Sequence, residues 1–309
     1  MKDVSVIIVS YNTKELTRNC LRSLFEQTVG IDFEVIVSDN GSQDGSIDMI
    51  RTEFPQVIVI ENGKNLGFGK ANNCAASVAT GKYLFFLNSD TVLLNNALKC
   101  FCDSAEQEDC VLGTYLCDYL GDSMHSYGNF TQPFLFMLKK NIYDFYPCVL
   151  KKRLAQIQKN LVQECLSERY VDFITGADLF ISKKHFDAVH GFDERYFMYF
   201  EDDDLCRKCM KIGINRKLIT SPKIMHLEGA SSTVKLKKLL IQDDSFFVYI
   251  KNWERPLVRF LVVCVFWLLF PLRLCSKSLS VKEKMQMMRG NKKRFFAVNK
   301  STYPVEDKK

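Results

Sequence analysis

Val4–Ser10, with the sequence VSVIIVS, begins the chain with a short apolar run rich in β-branched residues. Such a run predicts a buried strand. Similar runs occur at residues 33–38, 57–60 and 83–87, and helical patterns lie between them. Two apolar stripes at helical spacing are Leu16, Cys20, Leu21, Leu24, Phe25 and Ala71, Cys74, Ala75, Val78. This alternation predicts an α/β fold with a mostly parallel central sheet and helices on both faces.

The middle of the chain is less regular. Residues 115–168 contain prolines, aromatic residues and a basic stretch at 151–153, and we interpret them as an irregular insertion over an acceptor site. Regular patterns then return, because apolar β-type runs and a helical run follow one another again. The predicted elements are strands at 171–175 and 179–182, a helix over 203–212 and a strand at 224–226.

Ligands of open parallel sheets bind beyond the carboxyl ends of the strands, so the residues that follow each strand are the candidates for function. Residues 11–14, which follow the first strand, are Tyr, Asn, Thr and Lys and include no glycine. A dinucleotide-binding turn and a P-loop both require glycines at this place. Both of these common nucleotide-binding motifs are therefore disfavoured.

Asp39 ends the second predicted strand and is a candidate for base recognition. A carboxylate there can accept a hydrogen bond from a ring N–H of uracil or thymine, and Tyr11 on the adjacent strand end can stack on the base. The alternative interpretation is that Asp39 belongs only to a turn. The nearby residues 44–46, Asp-Gly-Ser, predict a turn and a helix cap.

Asp90 follows the fourth predicted strand and is a candidate metal ligand. A departing diphosphate needs a hard cation, usually Mg²⁺ or Mn²⁺ held by oxygen ligands, although a short polar stretch of this kind also forms simple turns. His226, at the end of a late strand, is either a second metal ligand or a core histidine.

Residues 201–204 are four consecutive acids, Glu-Asp-Asp-Asp, at the start of a predicted helix and directly after aromatic residues. The helix dipole favours acids at this end, but mutual repulsion opposes that gain. A carboxylate in such a partly desolvated setting can have a raised pKa and act as a general base toward an acceptor hydroxyl.

The C-terminal part differs in charge from the rest of the chain. Residues 251–309 contain 14 Lys and Arg against 4 Asp and Glu, a net charge of +10, whereas the rest carries −4. An apolar run at 260–272 is shorter than the roughly 20 residues that span a bilayer. With the basic residues after it, the run predicts a helix in the interface of an anionic cytoplasmic leaflet; a buried core helix is the alternative. The acidic body and the apolar run argue against a nucleic-acid partner.

The twelve cysteines are scattered among apolar residues, which predicts reduced core thiols and no disulfide framework. Because the first predicted strand begins at Val4, we expect no secretory signal before it. We therefore expect a cytoplasmic location, peripheral on the inner face of the cell membrane.

Together, these segments resemble inverting glycosyltransferase family 2, and in particular its bacterial rhamnosyltransferase-like branch. The likeness covers about residues 3–230, and the joint order and spacing of its motifs are specific. The five segments that carry it are Ser10-Tyr11-Asn12, Ser38-Asp39-Asn40-Gly41-Ser42 with Asp44-Gly45-Ser46, Asn65-Leu66-Gly67-Phe68-Gly69-Lys70-Ala71-Asn72-Asn73, Leu87-Asn88-Ser89-Asp90, and Gly191-Phe192-Asp193-Glu194 with Glu201-Asp202-Asp203-Asp204-Leu205.

The resemblance implies a GT-A domain over residues 1–230, and the charge and apolar run of the C-terminal part predict a basic, helical, membrane-associating extension over 231–309. The resemblance also implies roles for particular residues. These are nucleotide-sugar binding by Tyr11, Asp39, Asn65, Lys70 and Asp90, metal binding by Asp90 and His226, and base catalysis by Asp202 with Glu201 as the fallback. One departure is Asn88, which stands where the family's metal motif often begins with an acid.

The implied activity is metal-dependent, inverting transfer of a sugar from a UDP or dTDP donor to a glycan or lipid-linked glycan, in surface polysaccharide synthesis. The implied cofactor is Mg²⁺ or Mn²⁺. Rhamnose is the first candidate for the sugar, and galactosyl, galactofuranosyl or glucosyl transfer is the alternative within the family. A non-catalytic module that binds nucleotide sugars is an alternative from a different class.

Overall fold

The computed structural model describes residues 2–124, 126–145, 167–227 and 235–274, together with 282, 284 and 285. The chain divides into two compact units. The first comprises residues 1–130 and 162–232, and the second comprises 131–161 and 233–309. The predicted basic stretch at 151–153 and most of the tail after 274 lie outside the described residues.

The first unit is built on one large sheet and two small ones. The strands are β1 (Val4–Ser10), β2 (Phe33–Asp39), β3 (Ile58–Glu61), β4 (Tyr83–Asn88), β5 (Thr91–Leu93), β6 (Val111–Thr114), β7 (Tyr127–Gly128), β8 (Arg169–Tyr170), β9 (Phe173–Ile174), β10 (Asp178–Ser182), β11 (Arg216–Ile219) and β12 (Ile224–His226). The helices are α1 (Lys14–Gln27), α2 (Ser46–Glu53), α3 (Phe68–Val78), α4 (Ala97–Gln107), α6 (Lys183–Ala188) and α7 (Glu201–Lys211), and α5 (Pro133–Phe145) belongs to the second unit.

The large sheet has eight strands in the order β3-β2-β1-β4-β10-β6-β11-β8. β1 lies at the centre of its parallel half, between β2 and β4. The apolar strands predicted in the first 90 residues are confirmed, with ends that differ from the prediction by about one residue. β1 is buried because alternate side chains join two cores on opposite faces: Val6 and Ile8 pack in one, and Ile7 packs in the other.

β10 runs against the direction of its neighbours. It pairs antiparallel with β4 on one side and with β6 on the other, so the sheet is mixed in this half. The first residue of β10 therefore lies at the same edge as the last residues of β4 and β6. This edge is where the carboxyl ends of the parallel strands meet.

The strand predicted at 171–175 is shorter than expected, because β9 comprises Phe173 and Ile174 alone. The backbone before it is used elsewhere. The Asp172 carbonyl accepts a hydrogen bond from the Arg216 side chain at 3.0 Å, and Thr175 N–H donates to Ser126 O at 2.9 Å. These contacts end the extended run on both sides.

The second unit is helical where it is described. It contains α5, α8 (Lys235–Trp253) and α9 (Pro256–Leu274). A buried ion pair joins Lys140 of α5 to Asp243 of α8 at 2.7 Å, and Phe136 stacks on Phe246 with ring centroids 4.7 Å apart. No helix among the described residues combines the length and the apolar character needed to cross a bilayer.

Candidate active site

The loops after β1 and β2 are held together by their own polar groups. Asn12 N–H donates to Ser42 Oγ at 2.8 Å, and Gln43 N–H donates back to Asn12 Oδ1 at 2.8 Å. Asn12 adopts a positive φ of 53°, which an asparagine tolerates better than most residues. The turn leaves Tyr11 44% exposed, beside the end of β2.

Asp39 is fully buried at the end of β2. Its Oδ1 accepts hydrogen bonds from Gly41 N–H at 2.9 Å and Ser42 N–H at 2.8 Å. Its Oδ2 has no hydrogen-bond partner among the described residues. Since a buried carboxylate oxygen is costly without a partner, this atom is suited to receive a donor N–H from a ligand.

The segment before α3 is shaped by asparagine side chains. Asn65 Oδ1 accepts from Gly67 N–H at 2.9 Å, and Asn40 Nδ2 donates to Gly67 O at 3.0 Å. The Asn65 side-chain oxygen thus binds within its own loop, which leaves its side-chain NH2 group to contact a nucleotide. The turn and helix start predicted at residues 44–46 are present, since Asp44 Oδ1 accepts from Ser46 N–H at 3.1 Å, but the N-cap of α2 is Gly45, which has no side-chain cap hydrogen bond.

Gly67 lies where the loop before α3 contacts Phe197, four residues before the acids of α7. Its φ is +86°, and a Cβ there would lie 2.1 Å from the carbonyl oxygen of Phe197. Phe68 N–H donates to the same carbonyl at 2.8 Å. Lys70 is paired with Glu194 at 2.6 Å on the exposed side of the contact. Glu194 and a diphosphate would compete for the Lys70 ammonium group.

Asp90 and His226 lie side by side at the end of β4. His226 Nε2 is 3.1 Å from Asp90 Oδ1 and 3.4 Å from Asn88 Nδ2. The backbone fixes the contact, since β12 pairs with β5 and Leu227 N–H donates to Asp90 O at 2.8 Å. The two residues singled out as metal ligands are therefore neighbours in space.

The four acids of α7 separate into two kinds. Asp203 pairs with Arg207 at 3.3 Å, and Asp204 pairs with Lys208 at 2.9 Å. Glu201 and Asp202 form no ion pair with a described residue. The first two acids thus differ from the other two in having no cation partner among the described residues, which makes them the candidates for a functional pair.

Both acids of this pair have raised pKa values. Burial raises the pKa of Glu201, and the neighbouring charge of Asp202 raises it further. Burial also raises the pKa of Asp202, aided by the charge of Asp203. Glu201 is 5% exposed, whereas Asp202 is half-buried. Asp202 is therefore the more accessible of the two carboxyl groups.

The backbone before α7 is strained. Tyr199 and Phe200 both have positive φ, 74° and 70°, although neither is glycine. Such residues cost about 1–3 kcal/mol each and persist where the surroundings impose them. Here the two residues turn the chain into α7, so that Glu201 and Asp202 begin the helix.

Backbone contacts connect Asp202 to the end of β4. Gly176 N–H lies 3.4 Å from Asp202 Oδ2, and the next residue, Ala177, accepts a hydrogen bond from Asn88 N–H at 3.1 Å. Asp39 reaches the same edge, since β1 has Ser10 opposite Asp39 and Val9 opposite Asn88. The structure therefore gathers Asp39, Asp90, Asp202 and His226 along one edge of the sheet.

Asp178 lies at the same edge of the sheet, and the motifs do not single it out. It begins β10 and is fully buried, and its Oδ2 accepts from Thr114 N–H at 2.6 Å. Burial raises the pKa of Asp178 to about 8, while its interaction with His226 opposes the rise. The sequence does contain one indication of this residue. Asp178 is the single acid among the apolar residues 177–181, where an unpaired charge is costly.

The fold and this edge together define an α/β protein of the GT-A type. Its structure is similar to the crystal structure of residues 1–349 of S. aureus TarS, with a TM-score of 0.54 and 16% identity over 96% of this chain and 81% of that one. Residues 5–150 match the family model described as Glycosyl transferase family 2. This match assigns residues 5–150, just under half of the chain, to a glycosyltransferase family 2 domain.

Curated relatives agree with this assignment. An N-acetylglucosaminyl-diphospho-decaprenol L-rhamnosyltransferase of Mycobacterium tuberculosis is 27% identical over 278 residues, which cover 83% of this chain and 89% of that protein. A poly(ribitol-phosphate) beta-glucosyltransferase of Bacillus spizizenii is 36% identical over 100 residues. These cover 31% of this chain and 16% of that relative, so the chain spans a small part of its length.

Proposed function

We propose that the protein is a metal-dependent, inverting glycosyltransferase. It transfers a hexose from a UDP or dTDP donor to a saccharide or a lipid-linked saccharide, as a step in the synthesis of cell-envelope polysaccharide. It works in the cytoplasm, at the inner face of the cell membrane. The observation that carries the proposal is Asp202, an acid without an ion-pair partner among the described residues, held beside the end of β4 where Asp90 and His226 meet.

Asp39 and Tyr11 would bind the base of the donor. The free Oδ2 of Asp39 suits the ring N–H that uracil and thymine share, and the exposed Tyr11 ring can stack on the base. Guanine also has a ring N–H, but it is larger than the pyrimidines. Asn65 and Lys70 would contact the rest of the donor, Lys70 after leaving Glu194.

Asp90 and His226 would hold the Mg²⁺ or Mn²⁺ ion. Their facing donor atoms are 3.1 Å apart, a separation at which both can contact one ion. Among the described residues no third histidine, cysteine or acid joins them. Diphosphate oxygens complete such sites in nucleotide enzymes. When bound, the cation supplies positive charge for the departing diphosphate.

Asp202 would accept the proton of the acceptor hydroxyl. The hydroxyl oxygen attacks the anomeric carbon, the bond from that carbon to the diphosphate oxygen breaks, and the electron pair leaves with the diphosphate. A single displacement inverts the anomeric centre. Glu201 is the fallback base, but its stronger burial keeps it protonated to a higher pH and less accessible to an acceptor.

Rhamnose is the first sugar to test, because the relative that this chain covers to 89% of its length is named as a rhamnosyltransferase. Glucose, galactose and galactofuranose are the alternatives. The test is a screen of UDP-, dTDP- and GDP-sugars with Mn²⁺ or Mg²⁺, in which released nucleoside diphosphate is measured and the product anomer is assigned by NMR. Nucleotide binding without turnover of any donor would identify a non-catalytic module, and a product of retained configuration would refute single displacement.

A further inference from the structure

One side of α9 is apolar and faces solvent. Its exposed large side chains are Leu257 (69%), Phe260 (63%), Leu261 (44%) and Leu268 (76%), and Cys264 and Pro271 are exposed between and beyond them. At about 100° per residue, these six positions fall within an arc of about 100°. None of the six is polar or charged. We call this set the apolar face of α9.

The opposite side of α9 is packed against protein. Its buried side chains are Val262, Val263, Phe266 and Phe270. Phe266 meets Phe247 of α8 with ring centroids 5.1 Å apart, and α5 also contacts α9. Because the helix is fixed to the unit along one side, it has a single side left for a partner.

α5 adds apolar surface to the same unit. Phe134, Leu135 and Leu138 are 39%, 45% and 44% exposed. A soluble monomer usually scatters such residues singly, and a larger apolar patch marks an interaction site. The second unit thus has two helices in contact that each present large apolar side chains.

The charge of the adjoining sequence favours one kind of partner. Residues 275–309, which follow α9 directly, contain 10 Lys and Arg against 3 Asp and Glu. Arg255, just before the helix, is exposed. An apolar helix face combined with a basic segment fits the surface of a bilayer that contains anionic lipids, where apolar burial and electrostatic attraction add.

We propose that the apolar face of α9 docks on an anionic bilayer, with the helix axis in the plane of the membrane. This proposal rests on the proposed function in one respect only: a lipid-linked acceptor would lie in the same membrane. The binding itself needs no substrate. The partner is the lipid surface, and neither a second copy of the chain nor another protein is required.

The first test is vesicle flotation of the full chain with liposomes of phosphatidylcholine that contain about 30% phosphatidylglycerol. The variant Leu257→Gln/Phe260→Gln/Leu268→Gln replaces three exposed side chains of the face by a residue that favours helices. We expect its partition coefficient to fall roughly tenfold or more. The control Val29→Gln/Val78→Gln/Met210→Gln removes three exposed apolar side chains from the first unit and should float as the wild type does.

The second test uses the chain's two tryptophans, Trp253 in α8 and Trp267 in α9. In Trp253→Phe, Trp267 is the only tryptophan, so its fluorescence reports on α9 alone. We expect a blue shift on adding the anionic vesicles, and quenching by lipids brominated near the headgroup to exceed quenching by lipids brominated near the chain ends.

Three results would overturn the proposal. They are absence of wild-type binding to anionic vesicles, flotation of the α9 variant equal to the wild type, and a wild-type dimer that the α9 variant converts to a monomer. The last result would assign the face to a second copy. Donor turnover with a soluble acceptor is measured in parallel without vesicles. If the wild type shows no donor turnover, the proposed function is refuted, but the flotation result still stands.

Discussion

His226 Nε2 and Asp90 Oδ1 lie 3.1 Å apart, although 136 residues separate them in the sequence. The antiparallel pairing of β12 with β5 places His226 opposite Thr91, the residue next to Asp90. The contact is thus set by backbone hydrogen bonds in a small sheet. Because the backbone pairing fixes both residues, the two side chains are already in contact without a ligand.

Removal of either member of this pair should weaken the response to metal. For His226→Ala and Asp90→Asn we expect the Mn²⁺ concentration at half-maximal nucleoside-diphosphate binding to rise by about tenfold or more, since each variant would lose one of the two proposed protein ligands. Isothermal titration with UDP and dTDP measures this without turnover. His185→Ala, at a histidine outside the site, is the control. An unchanged metal response in both variants would remove the pair from the metal site.

Asp202→Asn should fold, bind the donor and lose turnover. Loss of a general base lowers kcat by about 10²–10⁴-fold. The matched control is Asp203→Asn, which changes the next acid of the same helix and breaks its pair with Arg207. We expect Asp203→Asn to cost stability while keeping kcat within a few-fold of the wild type. If Asp202→Asn retains activity and Glu201→Gln does not, the base is Glu201.

The pH profile of kcat should reflect the burial of Asp202. Because burial raises its pKa, the carboxylate is protonated over part of the weakly acidic range, and activity should fall there. The acidic limb should therefore lie above the value of about 3.9 typical of an aspartate. Stopped assays in overlapping buffers measure the limb. A limb at the ordinary aspartate value would contradict the raised pKa.

Asp178 should make stability depend on pH. Its folded pKa of about 8 exceeds the unfolded value of about 3.9, so the folded state keeps a proton that the unfolded chain releases between them. This contribution to stability is full below pH 4 and is lost as the pH rises toward 8. Asp178→Asn cannot titrate, so its melting temperature relative to the wild type should rise from pH 5.5 to 8.5. Asp48→Asn, at an exposed acid, should show no such trend.

Gly67→Ala should disturb the contact between the loop before α3 and the backbone of Phe197. The new Cβ would lie 2.1 Å from Phe197 O, at a φ of +86°. Gly63→Ala is the matched control, since Gly63 also has positive φ but has no atom within 4 Å of its Cβ. The control should lose about 1 kcal/mol from backbone strain alone. Gly67→Ala should lose more and also reduce turnover; equal losses would show that the contact is unimportant.

The parallel half of the sheet was predictable because its strands are long apolar runs separated by clear helical stripes. β6, β11 and the short β5 escaped prediction for a physical reason. β6 has four residues including Gly113, and β11 begins with Arg216 and Lys217, so neither shows a long apolar pattern. Their pairing comes from tertiary contacts that override weak local preference.

The site was predictable only in part. Motif order singled out Asp90 and His226, but their proximity depends on β12 meeting β5, which pattern alone does not reveal. The resemblance placed Asp202 as the base, and the structure adds that Asp203 and Asp204 have cation partners. The pairing of Lys70 with Glu194 joins residues 124 apart and carries no local signature. The roles of all these residues stay predictions until the variants are measured.

The reversed direction of β10 brings its first residue to the end of β6. The Asp178 carboxylate accepts a hydrogen bond from Thr114 N–H at 2.6 Å, so these two strand ends are fixed to each other at one edge of the sheet. Among the described residues between them, 169–170 form β8, which rejoins the large sheet beside β11. The pairing of β1 with β2 and with β4 involves none of these residues. Substitutions between Thr114 and Asp178 can therefore accumulate without changing the register of the strands that end at Asp39 and Asn88.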